Sequence, residues 1–331
     1  MPNSTTVTEF LLTRFSDVWE LRDLHAMLFL LMYLATLMGN LLIVTVITFS
    51  WKLHTTMYFF IRNLSILDMC YISVMVPKAC VIFLLDDRTI SMAGCAAQIF
   101  FVLAFATVEL LFLTVMARDR YVAICQPLQY TLIMSPRVCV QMTLASILSG
   151  LTYSGFHTGN TFQLPFCQSN VVHQFFCDIS SLLKLSCSET FNNEILVFIS
   201  AVVIAGGCFV FIIMSYIHIF SAVLKFPTKG KQGKAFSTCV PHILVVAVFL
   251  SSGAAVYVKP TSSSPTIQDM INAVFYSIVP PFLNPIIYSL RNKQIKEAVK
   301  RVMRRKLNLA NFLPVVQCFR WELHECTAYW R

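Results

Sequence analysis

The chain has 331 residues, of which 57% are hydrophobic and only 12% charged, with a net charge of +9. A soluble domain carries about 25% charged residues, so a soluble enzyme or binding module is excluded. With ten glycines the chain is not low-complexity, and its apolar excess sits in blocks.

In chain order, residues 1–24 are polar, with Glu9, Asp17, Glu20 and Asp23. They lack a basic start followed by an apolar core, so no cleavable leader is expected and the first span must target the chain. Apolar blocks follow at 25–49, 57–84, 96–117, 138–162, 195–224, 235–258 and 268–290. Each has roughly the 20 residues that cross a bilayer as a helix. In lipid the backbone must pair within itself, and the ten-residue alternating strands of a barrel are missing. The second block carries Arg62, Asp68 and Lys78, and the fourth is rich in Ser, Thr and Gly. The expected fold is an all-α membrane protein, a seven-transmembrane helix bundle over 25–290. In 291–306, Ile295, Val299 and Val302 lie at spacings of four and three, with Lys and Arg on the other face. That pattern predicts a short amphipathic cytoplasmic helix on the anionic inner leaflet. Residues 307–331 form a tail with no expected structure.

Orientation follows from the cations. With the N-terminus outside, six of the twenty-five Lys and Arg (Arg14, Arg22, Lys78, Arg88, Lys184, Lys259) lie outside and nineteen inside. Cytoplasmic loops are the Lys/Arg-rich ones, so the N-terminus is placed outside, and the positive charge reports topology, with no nucleic acid as partner. Asn3-Ser4-Thr5 is then an external glycosylation acceptor, whereas Asn63-Leu64-Ser65 falls in a span. Cys95, Cys167, Cys177 and Cys187 also fall outside, where disulfides persist. Spacing alone leaves three connectivities open. The remaining span cysteines read as small apolar filler.

Several stretches in register resemble a known family. They are Gly39-Asn40, LHTTMYFFIRNLSILD at 53–68, MARDRYVAIC at 116–125, SYIHIF at 215–220, KAFSTCVPH at 234–242 and PPFLNPIIYSLRN at 280–292. Together they are similar to the olfactory (odorant) branch of the rhodopsin-like G-protein-coupled receptors. Two positions depart from its pattern: Thr56, where the family usually has Pro, and Arg118, where it usually has an aromatic. Arg118 is expected to disturb the end of the third span.

The resemblance implies roles for individual residues. Asp119, Arg120 and Tyr121 end the third span, about 37 Å from Cys95 at 1.5 Å per residue. Arg120 would pair with Asp119 at rest and be released on activation. Tyr216, His242, Asn284, Pro285 and Tyr288 complete the switch, with Pro281 and Pro285 kinking the seventh span. Asn40, Asp68 and Glu109, with Asn284, would line a polar core able to take a sodium ion. Acids inside spans are functional hypotheses in any case. The implied disulfides are Cys95–Cys177 and Cys167–Cys187; a metal site from His157, His173 and these cysteines is the weaker alternative. An odorant pocket in the outer half would be lined by Val102, Leu103, Ala106 and Thr107, by Val197, Ala201 and Ile204, by Gly253 and Tyr257, and by Val274 and Ser277. It is mostly apolar with a few hydroxyls, suited to small volatile organics, and Val102 stands where amine receptors carry an acid. The basic run KGKQGKAFSTC at 229–239 would contact a heterotrimeric G protein of the stimulatory olfactory type, raising cyclic AMP. The resemblance places such a chain in the plasma membrane of olfactory sensory neuron cilia.

Competing readings differ in class. No P-loop, H-E-x-x-H or G-x-S-x-G pattern supports an enzyme. An ion-conducting or transport protein shares the intramembrane acids but would show repeated halves. A receptor fold that no longer signals is the other alternative, motivated by Arg118 and the long tail.

Overall fold

The computed structural model describes residues 8–13, 19–167, 169–257 and 267–307. Asn3 and residues 308–331 therefore lie outside the described residues. The chain runs β1 (Glu9–Leu12), α1 (Trp19–Phe49), α2 (Thr56–Leu85), β2 (Thr89–Ser91), α3 (Met92–Cys125), α4 (Tyr130–Ile133), α5 (Pro136–Phe162), β3 (Val171–Val172), α6 (Ile179–Leu183), α7 (Phe191–Leu224), α8 (Lys229–Tyr257), α9 (Ile267–Arg291) and α10 (Lys293–Leu307). Seven long helices form the bundle, each overlapping one expected apolar block.

Among the described residues, five helices are long and apolar enough to span a membrane on their own. α5 joins them through a 61° bend after the segment Pro127–Ile133, and α9 keeps a shorter apolar stretch, Ser277–Leu290. α5 carries the Ser, Thr and Gly residues, and the Ser277–Leu290 stretch of α9 ends where the flanking side chains leave the described residues. α7 is the most lipid-facing, with Val203 66% and Val210 60% exposed. Such apolar surface is tolerated only where lipid is the solvent.

α3 runs through the centre, against α2, α5, α7 and α8. Gly150 of α5 makes one of these contacts close: a Cβ there would meet Val108 Cγ2 at 2.6 Å and Ala104 O at 3.0 Å. α3 does not end at Asp119–Arg120, as the sequence suggested, but continues to Cys125 before Pro127 stops it. No helix breaker stands between Arg120 and Cys125, so the i to i−4 ladder simply goes on.

The disulfide-bearing end holds a small sheet that the all-α expectation did not contain. β1 pairs antiparallel with β2 and parallel with β3. Phe10 and Leu12 of β1 are buried against Ile82, Phe166 and Val172. Asp86 takes a left-handed conformation (φ 55°) to cap α2, a conformation Asp tolerates better than most residues. Next to it, Asp87 Oδ1 accepts from the Thr89 hydroxyl (2.6 Å) and backbone N–H (3.1 Å), and Lys78 Nζ lies 3.4 Å from Oδ2. Those Thr89 hydrogen bonds, then Lys78, hold the Asp87 carboxyl below its ordinary range.

At the opposite end, Asn292 separates α9 from α10. Its Oδ1 accepts from the N–H of Gln294 (3.1 Å) and Ile295 (3.2 Å), capping α10, and from Tyr58 Oη (3.2 Å). The apolar stripe of α10 was expected to face lipid. Instead Ile295 and Ala298 are fully buried in the main core, with Val299 packed against it.

Candidate functional site

The functional geometry is a chain of buried polar groups running along the bundle axis. It starts at α1. Pro285 has no N–H to donate to the carbonyl four residues back, Pro281 O. Asn40 Nδ2 donates to that carbonyl at 3.0 Å, replacing the missing bond across the helix interface. Gly39 allows the approach, since a Cβ there would sit 3.1 Å from Pro285 Cγ. The Gly39-Asn40 pair is thus explained by the proline it faces.

One turn along α9, Asn284 Nδ2 donates to both oxygens of Asp68 (3.2 and 3.0 Å) and to Glu109 Oε1 (3.2 Å). All three side chains are buried. Two carboxyl groups on one amide nitrogen repel unless a proton or a cation lies between them. Their hard oxygens fit an alkali cation, and Asn284 Oδ1 is buried with no hydrogen-bond partner among the described residues. As the side chain stands, its NH2 faces the acids; turning the amide over would present that oxygen instead. Asn40 holds Pro281 rather than either acid.

Deeper toward the α10 end, His242 Nε2 lies 3.0 Å from Leu113 O, so it carries the hydrogen. In the neutral ring Nδ1 then accepts, and Tyr216 Oη donates to it at 2.7 Å. This ties α3, α7 and α8 together. Tyr288 is buried, its hydroxyl without a hydrogen-bond partner among the described residues.

The axis ends at Asp119, which is fully buried and ion-paired to Arg120, itself 15% exposed. Tyr130 of α4 donates to the second Asp119 oxygen at 2.8 Å. The carboxylate thus has one partner within its helix and one outside. Tyr121 turns away, its ring edge-on to His218 at 6.0 Å. Arg118 also points elsewhere: its nearest partner is Met142 Sδ at 4.0 Å, on α5. The expected disturbance of Arg120 by Arg118 does not occur, because neighbouring helix positions face different sides.

At the other end, the cysteines pair as Cys95–Cys177 and Cys167–Cys187, with Cα separations of 5.5 and 5.8 Å. Gln98 Oε1 accepts from Cys177 N–H at 2.8 Å, and Phe175 and Phe176 are buried beside the bridge. His157 lies within α5, bonded to Ser200 at 3.0 Å. It is therefore not a loop ligand, and the metal alternative loses its cysteines and one of its two histidines. Five of the eleven expected pocket residues fall in two groups. Val102, Ala106 and Val274 pack on the apolar cluster that includes Phe175 and Phe176, while Leu103 and Val197 pack on the cluster that includes Cys95 and Cys177. Thr107, Ala201 and Ile204 are half-buried, and Ser277 is buried with Val274 O at 3.4 Å from its hydroxyl. The side chains of Gly253 and Tyr257 lie outside the described residues.

The sequence profile of the olfactory receptor family matches residues 29–306. Human olfactory receptor 14C36 is 66% identical over 305 residues, 92% of this chain and 98% of that one. The chain belongs to the olfactory receptor family. Human olfactory receptor 14I1 is 51% identical over 302 residues, 91% of this chain and 97% of that one. Among solved structures, squid rhodopsin superposes with a TM-score of 0.64 at 17% identity, covering 89% of each chain. That likeness shows the seven-helix fold. This olfactory receptor is a multi-pass membrane protein and not an enzyme. Sequence reasoning missed Tyr130, Tyr58, Gln98 and the Phe175–Phe176 pair. Tyr130 alone carried a signal, a tyrosine just past the helix-stopping Pro127.

Proposed function

We propose that this receptor, with its N-terminus outside the cell, binds small volatile organics between α3, α7, α8 and α9 near the disulfide end. Binding activates a heterotrimeric G protein of the stimulatory olfactory type and raises cyclic AMP in sensory cilia. The observation that carries this reading is the buried Asp119–Arg120 pair, held from outside its helix by Tyr130. A charge pair that can be released by one helix moving past another is a two-state element, and a ligand that favours one state shifts its population. The Asp68–Glu109–Asn284 cluster supports a second element, in which a sodium ion between the acids favours the resting state. The cluster's own residues supply two carboxylates and a reversible amide.

Cyclic AMP is measured in cells co-expressing the receptor and an olfactory G protein, over a broad odorant panel. Arg120→Ala is run alongside, with surface staining of both. A response lost in the variant at equal surface level is expected. A response retained in Arg120→Ala, or none from well-displayed wild type, rejects signalling through this pair.

A further inference from the structure

A cavity of about 540 Å³ opens on the side of the bundle near Asp119, between α1, α2, α4 and α5. Its wall combines two chemistries. Ile47, Phe59 and Val140 make it apolar, and Val140 is 49% exposed on the outer surface of the bundle. Arg62, His54 and the Thr55 and Thr56 hydroxyls make the rest polar. Among the described residues, no Asp or Glu lines it. Arg62 Nε is shielded from solvent with no hydrogen-bond partner among the described residues, and its guanidinium rests against the Phe59 ring at 5.8 Å. An arginine in the first turns of a spanning helix, apolar on one side and without an acid, calls for an anion that arrives on an apolar stem. Volume, charge and the lipid-facing opening agree on one occupant.

We infer that this cavity binds an anionic phospholipid of the adjacent leaflet, its phosphate on Arg62 and the start of an acyl chain along Phe59 and Val140. Calling that leaflet the inner one rests on the orientation proposed above; the binding itself does not. Tyr130 lines the same cavity and donates to Asp119. The lipid therefore contacts the residue that holds the ion pair.

The test uses full-length receptor purified from nanodiscs containing equal phosphatidylserine and phosphatidylcholine, with retained lipid counted by native mass spectrometry. Wild type should keep phosphatidylserine over phosphatidylcholine. Arg62→Gln, which removes the charge, and Val140→Trp, which fills the opening from the lipid side, should each reduce that retention at least fivefold. Arg118→Gln, a cation on another face, should not. Equal retention in wild type and both variants, or loss in Arg62→Gln with full retention in Val140→Trp, overturns the site. If Arg62→Gln does not fold, Val140→Trp decides alone. The odorant response of wild type is scored separately, so a failed lipid site and a failed signalling reading remain distinct.

Discussion

Asn40 and Pro285 form a compensating pair: the proline removes a donor and the asparagine restores one from the neighbouring helix. Asn40→Ala leaves Pro281 O buried and unpaired, at a cost of about 1–3 kcal/mol. In Pro285→Ala the helix regains its own N–H donor, so the same change should cost much less. A double-mutant cycle on thermal unfolding in detergent measures this, and equal costs in both backgrounds would contradict the pairing. Thr56 offers the opposite case. It opens α2, where an N–H has no helical partner anyway, and Thr55 before it is extended at φ −123°, ψ 164°, close to what a following proline requires. Thr56→Pro is therefore expected to stabilise the receptor by about 0.4–1 kcal/mol, read as a higher unfolding midpoint. Tyr130→Phe removes one of the two partners of Asp119 and should raise cyclic AMP without odorant at equal surface level; an unchanged baseline would show that Arg120 alone holds the resting state. At this scale the sequence was legible wherever a motif carried its own chemistry, as in Asp119–Arg120. It was silent on Gln98, whose partners Val74 and Cys177 are distant in the chain and set by helix packing, and it pointed to Tyr130 only through the nearby Pro127.

For single elements, apolar block length predicted the helices well and their ends poorly. α3 overran because a span boundary is set by lipid whereas a helix end is set by caps and prolines. α10 showed its amphipathic period in Ile295 and Val299, but nothing in that period says whether bundle or lipid covers the apolar side. Gly150 has the same ambiguity: one small residue in a polar-rich span, explained only by Val108 lying against it. Gly150→Ala should push α5 off α3 and cost about 1–3 kcal/mol as an overpacked contact. Gly206, whose added Cβ would meet nothing within 4 Å, is the control on the lipid face. Equal midpoints for the two variants would count against the close α3–α5 contact.

Across the whole molecule, the two ends are built differently. The Asp119 end relies on helices and a few charges. The disulfide end relies on two bridges and the sheet, and β1 joins both loops there through Leu12 N–H to Arg88 O (2.9 Å) and Leu11 N–H to Asn170 O (2.7 Å). The polar composition of residues 1–24 hid this strand, since Phe10 and Leu12 alternate over only four residues. Phe10→Ala empties a fully buried position and should cost about 3 kcal/mol, seen as reduced surface display with Arg120 chemistry untouched. The sheet also fixes an order of events during synthesis. β1 leaves the ribosome first, yet its parallel partner begins at Val171. At roughly 5–20 residues per second, the strand waits on the order of ten seconds or more, with Phe10 and Leu12 uncovered, until four spans have been inserted. With the orientation proposed above, the nascent chain presents a short, sticky strand to the secretory lumen during that wait. Burial of Phe10 and Leu12 is then complete only when β3 docks on β1.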